Sequence, residues 1–279
     1  MPQTRTLTTS LGHVMTVFKD DYIGDKILKQ GLYERENLAL LLDLLGKIEN
    51  PVVLDIGANI GNHALAFSTR AREVHAFEPV PAINALLREN VRRNGLGNVT
   101  VHPVALSDAG GSATLHVNTA GNLGASSFDS RGGSEAAIEV AKATGDDFLA
   151  AAGVGRVDLV KIDVEAHEAF VLRGLCKTLA RDLPWLTLEW NDPLTIQRLH
   201  GSEELGFLLD HYTPWVLGSN HDRLFWKSRP FGLLRRKWHR LFTERRALLY
   251  PFEPTRLYKN LLFVPKGREA LLDPRHFLL

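Results

Sequence analysis

The chain has 279 residues, 44% of them hydrophobic and 23% charged, which is enough for one large α/β domain or two small ones. Its 33 Lys/Arg and 32 Asp/Glu leave a net charge of +1, so overall charge gives no footprint for nucleic acid. A single cysteine, Cys176, excludes an intrachain disulfide framework and a cysteine zinc site. No signal-peptide layout opens the chain and no apolar run nears the ~18 residues that span a bilayer, so a cytoplasmic protein is expected.

Taken in order, YERENLALLLDLL (33–45) has leucines spaced for a helix with one broad apolar face, ended by Gly46. PVVLDI predicts a buried strand, Asn62 to Ala71 a helix, and EVHAFE a second strand closed by Glu78-Pro79. Pro81 suits the first turn of the helix PAINALLRENVRRN, and NVTVHPVAL supplies a third strand. This is β-α-β-α-β at the spacing of parallel crossovers. Residues 107–133 are dense in Gly, Ser and Asn and predict a hairpin or edge strand, SATLHVN, followed by a long loop, with 108–133 as a lid. Alternation then resumes: VDLVKID as strand, EAFVLRGLCKTLAR as one helix with Cys176 buried in it, WLTLEW as strand, ELGFLLDHY as helix, TPWVLG as strand. NLLFVPKG is a last strand, expected to pair antiparallel. The expected fold is a doubly wound, mostly parallel α/β sheet, with residues 1–50 as a helical extension, 51–279 as the main domain and 219–257 as an insertion.

In such a sheet ligands bind beyond the carboxyl ends of the strands. A Walker loop would need Lys and Ser/Thr after its last glycine, whereas Gly61 is followed by Asn62-His63, so that reading fails. GANIG also lacks the dinucleotide glycine pattern, though Glu78 would serve the ribose of NAD equally well, leaving a NAD-dependent oxidoreductase as a rival. S-adenosylmethionine makes another demand, for it has no phosphate but carries a cationic amine and sulfonium. Asp55 would attract the amine, Gly57, Ala58, Asn59 and Gly61 would let the backbone approach, and Glu78-Pro79 would present a carboxylate to the ribose diol. Leu106 would pack the adenine, with Ser107 or Asp108 reading its amino edge.

LDIGANIGNHALAF, VHAFEPVPAINALLRENVRRNGLGNVTVHPVALSD and VDLVKIDVEAHEAFVLRG together resemble the FkbM family of S-adenosylmethionine-dependent methyltransferases, over roughly residues 31–191. The resemblance implies a class I methyltransferase (Rossmann-like) fold and O-methylation of a saccharide, glycolipid or natural-product hydroxyl. One departure stands at the fourth strand, where the family pattern KIDVEG reads KIDVEA. Ala166 would be harmless at negative φ and would cost stability at positive φ; it is also the one hint of a non-catalytic binding protein on this fold.

Methyl transfer to a hydroxyl asks the protein for placement and a proton acceptor. Asp163 and Glu165 are the carboxylates expected near the methyl group, with His167 as a further catalytic candidate. Tyr33 and Glu34 begin a helix that would fold over the cofactor, Ser126 and Ser127 sit in the lid, and His63 follows the first motif. Glu189 and Asp192 could add acceptor contacts; no resident metal is expected. Between His221 and Arg246, nine Lys/Arg against two Asp/Glu are interleaved with Phe and Trp, a composition suited to an anionic lipid surface or a lipid-linked saccharide. No base-stacking module accompanies that charge, so nucleic acid is not expected as a partner.

Overall fold

A computed structural model describes residues 3–118, 124–132, 135–221 and 245–276. The chain opens with a hairpin, β1 (Thr4–Thr8) and β2 (Val14–Phe18), before the helices α1 (Tyr22–Gln30) and α2 (Arg35–Leu45). The first fifty residues thus hold two helices and a hairpin that their threonine-rich sequence left unread. Asparagines stand in for a strand beside β2. Asn90 accepts from Thr16 N at 2.8 Å and donates to Thr16 O at 3.0 Å, and Asn94 repeats this with Val14.

Next come β3 (Val52–Ile56), α3 (Asn62–Phe67), β4 (Glu73–Phe77), α4 (Pro81–Arg93) and β5 (Val99–His102). The helix expected to reach Ala71 stops at Phe67, where Ser68 and Thr69 hydroxyls donate back to the carbonyls of Leu65 and Ala66. NVTVHPVAL is two strands, since Pro103 has no N–H for a ladder: β5 joins the main sheet and β6 (Ala105–Ser107) leaves it. β6 pairs with β8 (Glu135–Thr144), which pairs antiparallel with β7 (Gly111–Asn118), so strand β8 takes sequence that had been unassigned.

The second half contains α5 (Gly145–Ala151), β9 (Leu159–Ile162), α6 (Glu168–Gly174), α7 (Cys176–Asp182), β10 (Trp185–Glu189), α8 (Pro193–Leu199) and α9 (Glu203–His211). It ends with β11 (Tyr212–Ser219), β12 (Ala247–Pro251) and β13 (Asn260–Pro265). The single helix expected over EAFVLRGLCKTLAR breaks at Leu175. Gly174 there lies so close to β6 that a Cβ would meet Ser107 O at 2.0 Å. Cys176, expected inside, is exposed.

The main sheet runs β12-β11-β13-β10-β9-β3-β4-β5. β10, β9, β3, β4 and β5 are parallel, and β13 is antiparallel to both β10 and β11, as expected of the last strand. This is the class I methyltransferase, Rossmann-like arrangement. Helices cover both faces, which is why β3 is buried throughout despite Asp55. Leu54, Ile56, Val160 and Ile162 face one core with α6 and α9; Val53 and Leu159 face the other, with α2 and α3. From β3 the chain goes to β4 on one side and later returns to β9 on the other, so a crevice opens at their carboxyl ends. A third core joins β2, α1 and the small sheet beside that crevice. No helix among the described residues is long and apolar enough to cross a membrane. The basic stretch 222–244 lies outside the described residues.

Candidate active site

A cavity of about 260 Å³ occupies the crevice. Its floor is the turn after β3, which Gly57 enters at φ 77°, Asn59 continues at φ 50° and Gly61 leaves at φ 97°. Both glycines also admit close protein neighbours: a Cβ on Gly57 would meet Asp163 O at 1.9 Å, and one on Gly61 would meet Leu87 Cδ1 at 2.6 Å. Gly57, Ala58 and Asn59 border the cavity, while Gly61 does not.

Glu78 closes β4 at one end of the cavity, beside Pro79. Its two oxygens accept from backbone amides, Oε2 from Asn59 N at 3.1 Å and Oε1 from Val80 N at 2.9 Å. Both oxygens are thereby fixed, and burial pushes the carboxyl up to about 7. Leu106 also borders the cavity. Ser107 does not; it is fully buried, with its Oγ 3.1 Å from Asp108 and 2.9 Å from His167 Nε2.

The other end is acidic. Asp163, Glu165, Glu189 and Asn191 border it. Burial, then the neighbouring charge of Asp163, pushes Glu165 up to about 7. Burial, then the charges of Asp163 and Glu165, push the Glu189 carboxyl well above its usual range, and Asn191 Nδ2 donates to it at 2.5 Å. His167 also borders the cavity, its ring 4.5 Å from those of Phe128 and Phe170, and burial pushes it down to about 4. No three His, Cys, Asp or Glu side chains among the described residues converge as a metal-binding group.

Asp55 departs from expectation. It is wholly buried, does not border the cavity, and is answered from within the protein, by Lys161 Nζ at 3.3 Å. β3 and β9 pair Asp55 with Lys161 in register, so both side chains leave the same face of the sheet. Lys161 also lies 3.4 Å from Asp163 and donates to Gly57 O at 3.3 Å. Burial disfavours its charge, but Asp163 and Asp55 outweigh this and raise its pKa. A lysine inside the apolar strand LVKI was the signal available for this hub.

Glu34 departs as well. Its side chain is 8% exposed and borders no part of the main cavity, being engaged by Lys259 Nζ at 2.8 Å, Asn260 Nδ2 at 2.6 Å and His63 Nε2 at 3.4 Å. Burial works against its charge, yet His63 and Lys259 hold the carboxyl well below the usual range. It ties the extension to β13, leaving Tyr33, His63 and Lys259 on the cavity wall. Lys259, in a loop before the last strand, carried no sequence signal.

Glu165 and Ala166 are both left-handed, at φ 52° and 75°, so alanine occupies the strained alternative anticipated for it. Three side chains hold their carbonyls: Ser127 Oγ (2.9 Å) and Arg131 Nη2 (3.2 Å) donate to Glu165 O, and Arg198 Nη1 (2.8 Å) to Ala166 O. Arg198 is bidentate with Asp129 at 2.7 and 2.8 Å, and Arg131 pairs with Asp192 at 2.7 Å. The described part of the long loop, 124–132, is thus fastened to the β9–α6 turn, and Ser126 and Phe128 face the cavity.

A model of the FkbM methyltransferase domain matches residues 55–216. The chain belongs to the FkbM methyltransferase family. The hexuronic acid methyltransferase AglP of Haloferax volcanii is 32% identical over 146 residues, covering 52% of this chain and 58% of that protein. The 2-O-methyltransferase NoeI of Sinorhizobium fredii is 30% identical over 158 residues, covering 50% of this chain and 63% of NoeI. The chain thus matches less than two thirds of the length of either relative. A solved FkbM methyltransferase from Methylobacillus flagellatus KT shares 17% identity over 83% of this chain and 46% of its own, with a TM-score of 0.44. Membership of this methyltransferase family sets the NAD-dependent rival aside.

Proposed function

We propose that this FkbM-family methyltransferase uses S-adenosylmethionine to methylate a saccharide hydroxyl. The observation carrying the proposal is Glu78, a buried carboxylate fixed by two backbone amides in a cavity whose far end holds Asp163, Glu165 and Glu189. The residues present fit the cofactor: Glu78 suits the ribose diol, Val80, Ile83 and Leu106 give an apolar wall for the adenine, and the acidic far end suits the cationic group. Bound there, S-adenosylmethionine supplies an electrophilic methyl.

The chain's own part is placement and proton removal. Glu165, at about 7, is tuned to take the acceptor's hydroxyl proton near neutral pH, and Asp163, fixed by Lys161, orients the acceptor. Neutral His167, pinned by Ser107, supports that wall. The printed activities of AglP and NoeI, a hexuronic acid methyltransferase and a 2-O-methyltransferase, support a saccharide hydroxyl as acceptor. A lipid-linked saccharide is a further proposal, from the basic sequence between β11 and β12; β11 runs parallel to β10, so its Ser219 end lies on the site's side of the sheet.

Calorimetry with S-adenosylhomocysteine tests the cofactor assignment: wild type should bind and Glu78→Ala should lose most of that affinity. Absent binding, or equal binding by the variant, sinks it. Transfer of labelled methyl to a saccharide panel tests the acceptor class, and transfer only to non-saccharide hydroxyls would overturn it.

A further inference from the structure

Five large hydrophobic residues are exposed among the described residues, and of these Tyr22 alone borders the cavity, at 50% exposure. Its position is rigid. Asp21 caps α1 by accepting from Ile23 N and Gly24 N, and the helix sits so close to β2 that a Cβ on Gly24 would meet Phe18 O at 2.4 Å. Tyr33 stands edge-on to Tyr22, ring centroids 6.5 Å apart at 78°, and its backbone is gripped on both sides by the Asn62 amide at 2.9 and 3.0 Å. Lys26 Nζ lies over the Tyr22 ring at 5.3 Å and Lys259 Nζ over the Tyr33 ring at 4.4 Å. A half-exposed aromatic fixed this firmly at a cavity mouth is a platform awaiting a partner.

Polar groups line another part of the cavity. Asn191 and Glu189, bonded to each other, present a carboxamide and a carboxyl to the same cavity. One aromatic side and one of planar donors and acceptors suit a ring with an apolar C–H face and a hydroxylated edge. A flat aromatic acceptor would ask for two apolar walls, and the purine already has Val80, Ile83 and Leu106. We propose that Tyr22 and Tyr33, with Asn191 and Glu189, form the acceptor subsite and that it takes a pyranose ring, stacked on Tyr22. This rests on the methyltransferase reading and adds where the sugar sits.

The test uses the whole chain saturated with S-adenosylhomocysteine, and methyl β-D-glucopyranoside and methyl β-D-glucopyranosiduronate as probes. Saturation-transfer NMR reads the sugar and calorimetry reads S-adenosylhomocysteine. Wild type should transfer saturation to the ring protons of at least one probe. Tyr22→Ala should weaken that probe about tenfold and Tyr22→Trp should keep it, both binding S-adenosylhomocysteine within about twofold of wild type. The subsite is overturned if neither glycoside binds wild type, if Tyr22→Ala binds the sugar as wild type does, or if Tyr22→Ala loses S-adenosylhomocysteine in parallel, which would make the platform part of the cofactor site. Failure of wild type to bind S-adenosylhomocysteine sinks the methyltransferase reading instead, and calorimetry reports that separately. Tyr22 is half exposed, so its variants keep the core, and circular dichroism verifies this.

Discussion

Glu78 makes cofactor affinity depend on pH in a direction fixed by its surroundings. Burial places its carboxyl at about 7 in the free protein, whereas ribose hydroxyls are best accepted by the ionised form. Binding therefore carries the cost of ionising Glu78 whenever the pH is below 7. Between pH 8 and pH 5.5 the ionised fraction falls about 30-fold, so S-adenosylhomocysteine affinity should fall by roughly the same factor, ~2 kcal/mol. The stability of the free protein moves the opposite way. A carboxyl raised above its unfolded value stabilises below pH 4.5, and that contribution is lost as pH rises through 7. Ligand-induced stabilisation should accordingly grow with pH. Calorimetric titration from pH 5.5 to 8, on wild type and Glu78→Gln, measures this. The amide cannot accept from both Asn59 N and Val80 N, so the variant should bind ~10- to 100-fold more weakly. Its remaining affinity should be flatter in pH. Glu165 borders the same cavity and titrates in the same range, which is why the variant is needed. A wild-type affinity constant over this range, or an equal slope in Glu78→Gln, would refute the reasoning.

Lys161→Met leaves Asp55 buried without its cation and should lower unfolding free energy by ~3–5 kcal/mol in urea; a loss below ~1 kcal/mol would mean that Asp55 is stabilised some other way. Ala166→Gly relieves a left-handed alanine worth ~1–2 kcal/mol, part of which returns as unfolded-chain freedom. A net gain of about 0.5–1 kcal/mol, read as a higher thermal midpoint, is expected, and a lower midpoint would contradict it. Burial holds His102 at about 4, stacked beside His75, which burial also lowers. The unfolded chain takes up their protons first, so stability is lost as pH falls from 6.5 towards 4. His102→Phe should shrink that acid loss in melting experiments, and an unchanged loss would place its cause elsewhere.

The amino-acid sequence by itself determined the alternation of strand and helix and the order of the strand-end motifs. Both are local: apolar runs bounded by glycine or proline, a carboxylate ending each of two strands, a proline opening α4. Glu78, Asp163 and Glu165 could be placed on one rim because parallel strands carry their carboxyl ends to the same edge, whereas Leu106 reaches the cavity from β6 of the small sheet. What each side chain meets there is not local. Asp55 lost its expected ligand to Lys161 because the β3–β9 register puts the two on one face, and register is a property of the sheet. Glu34 went to Lys259 and Asn260, more than 220 residues away along the chain, through packing of the first helices on the last strand. Ser107 was taken by His167, and the turn glycines let neighbouring backbone and leucines come close. Tyr22 was invisible as a site residue because only the seating of α1 on β2 brings it to the cavity mouth. Local sequence can specify a strand end and its chemistry, but the partner of a buried charge depends on which distant backbone lies beside it, and only the tertiary structure decides that.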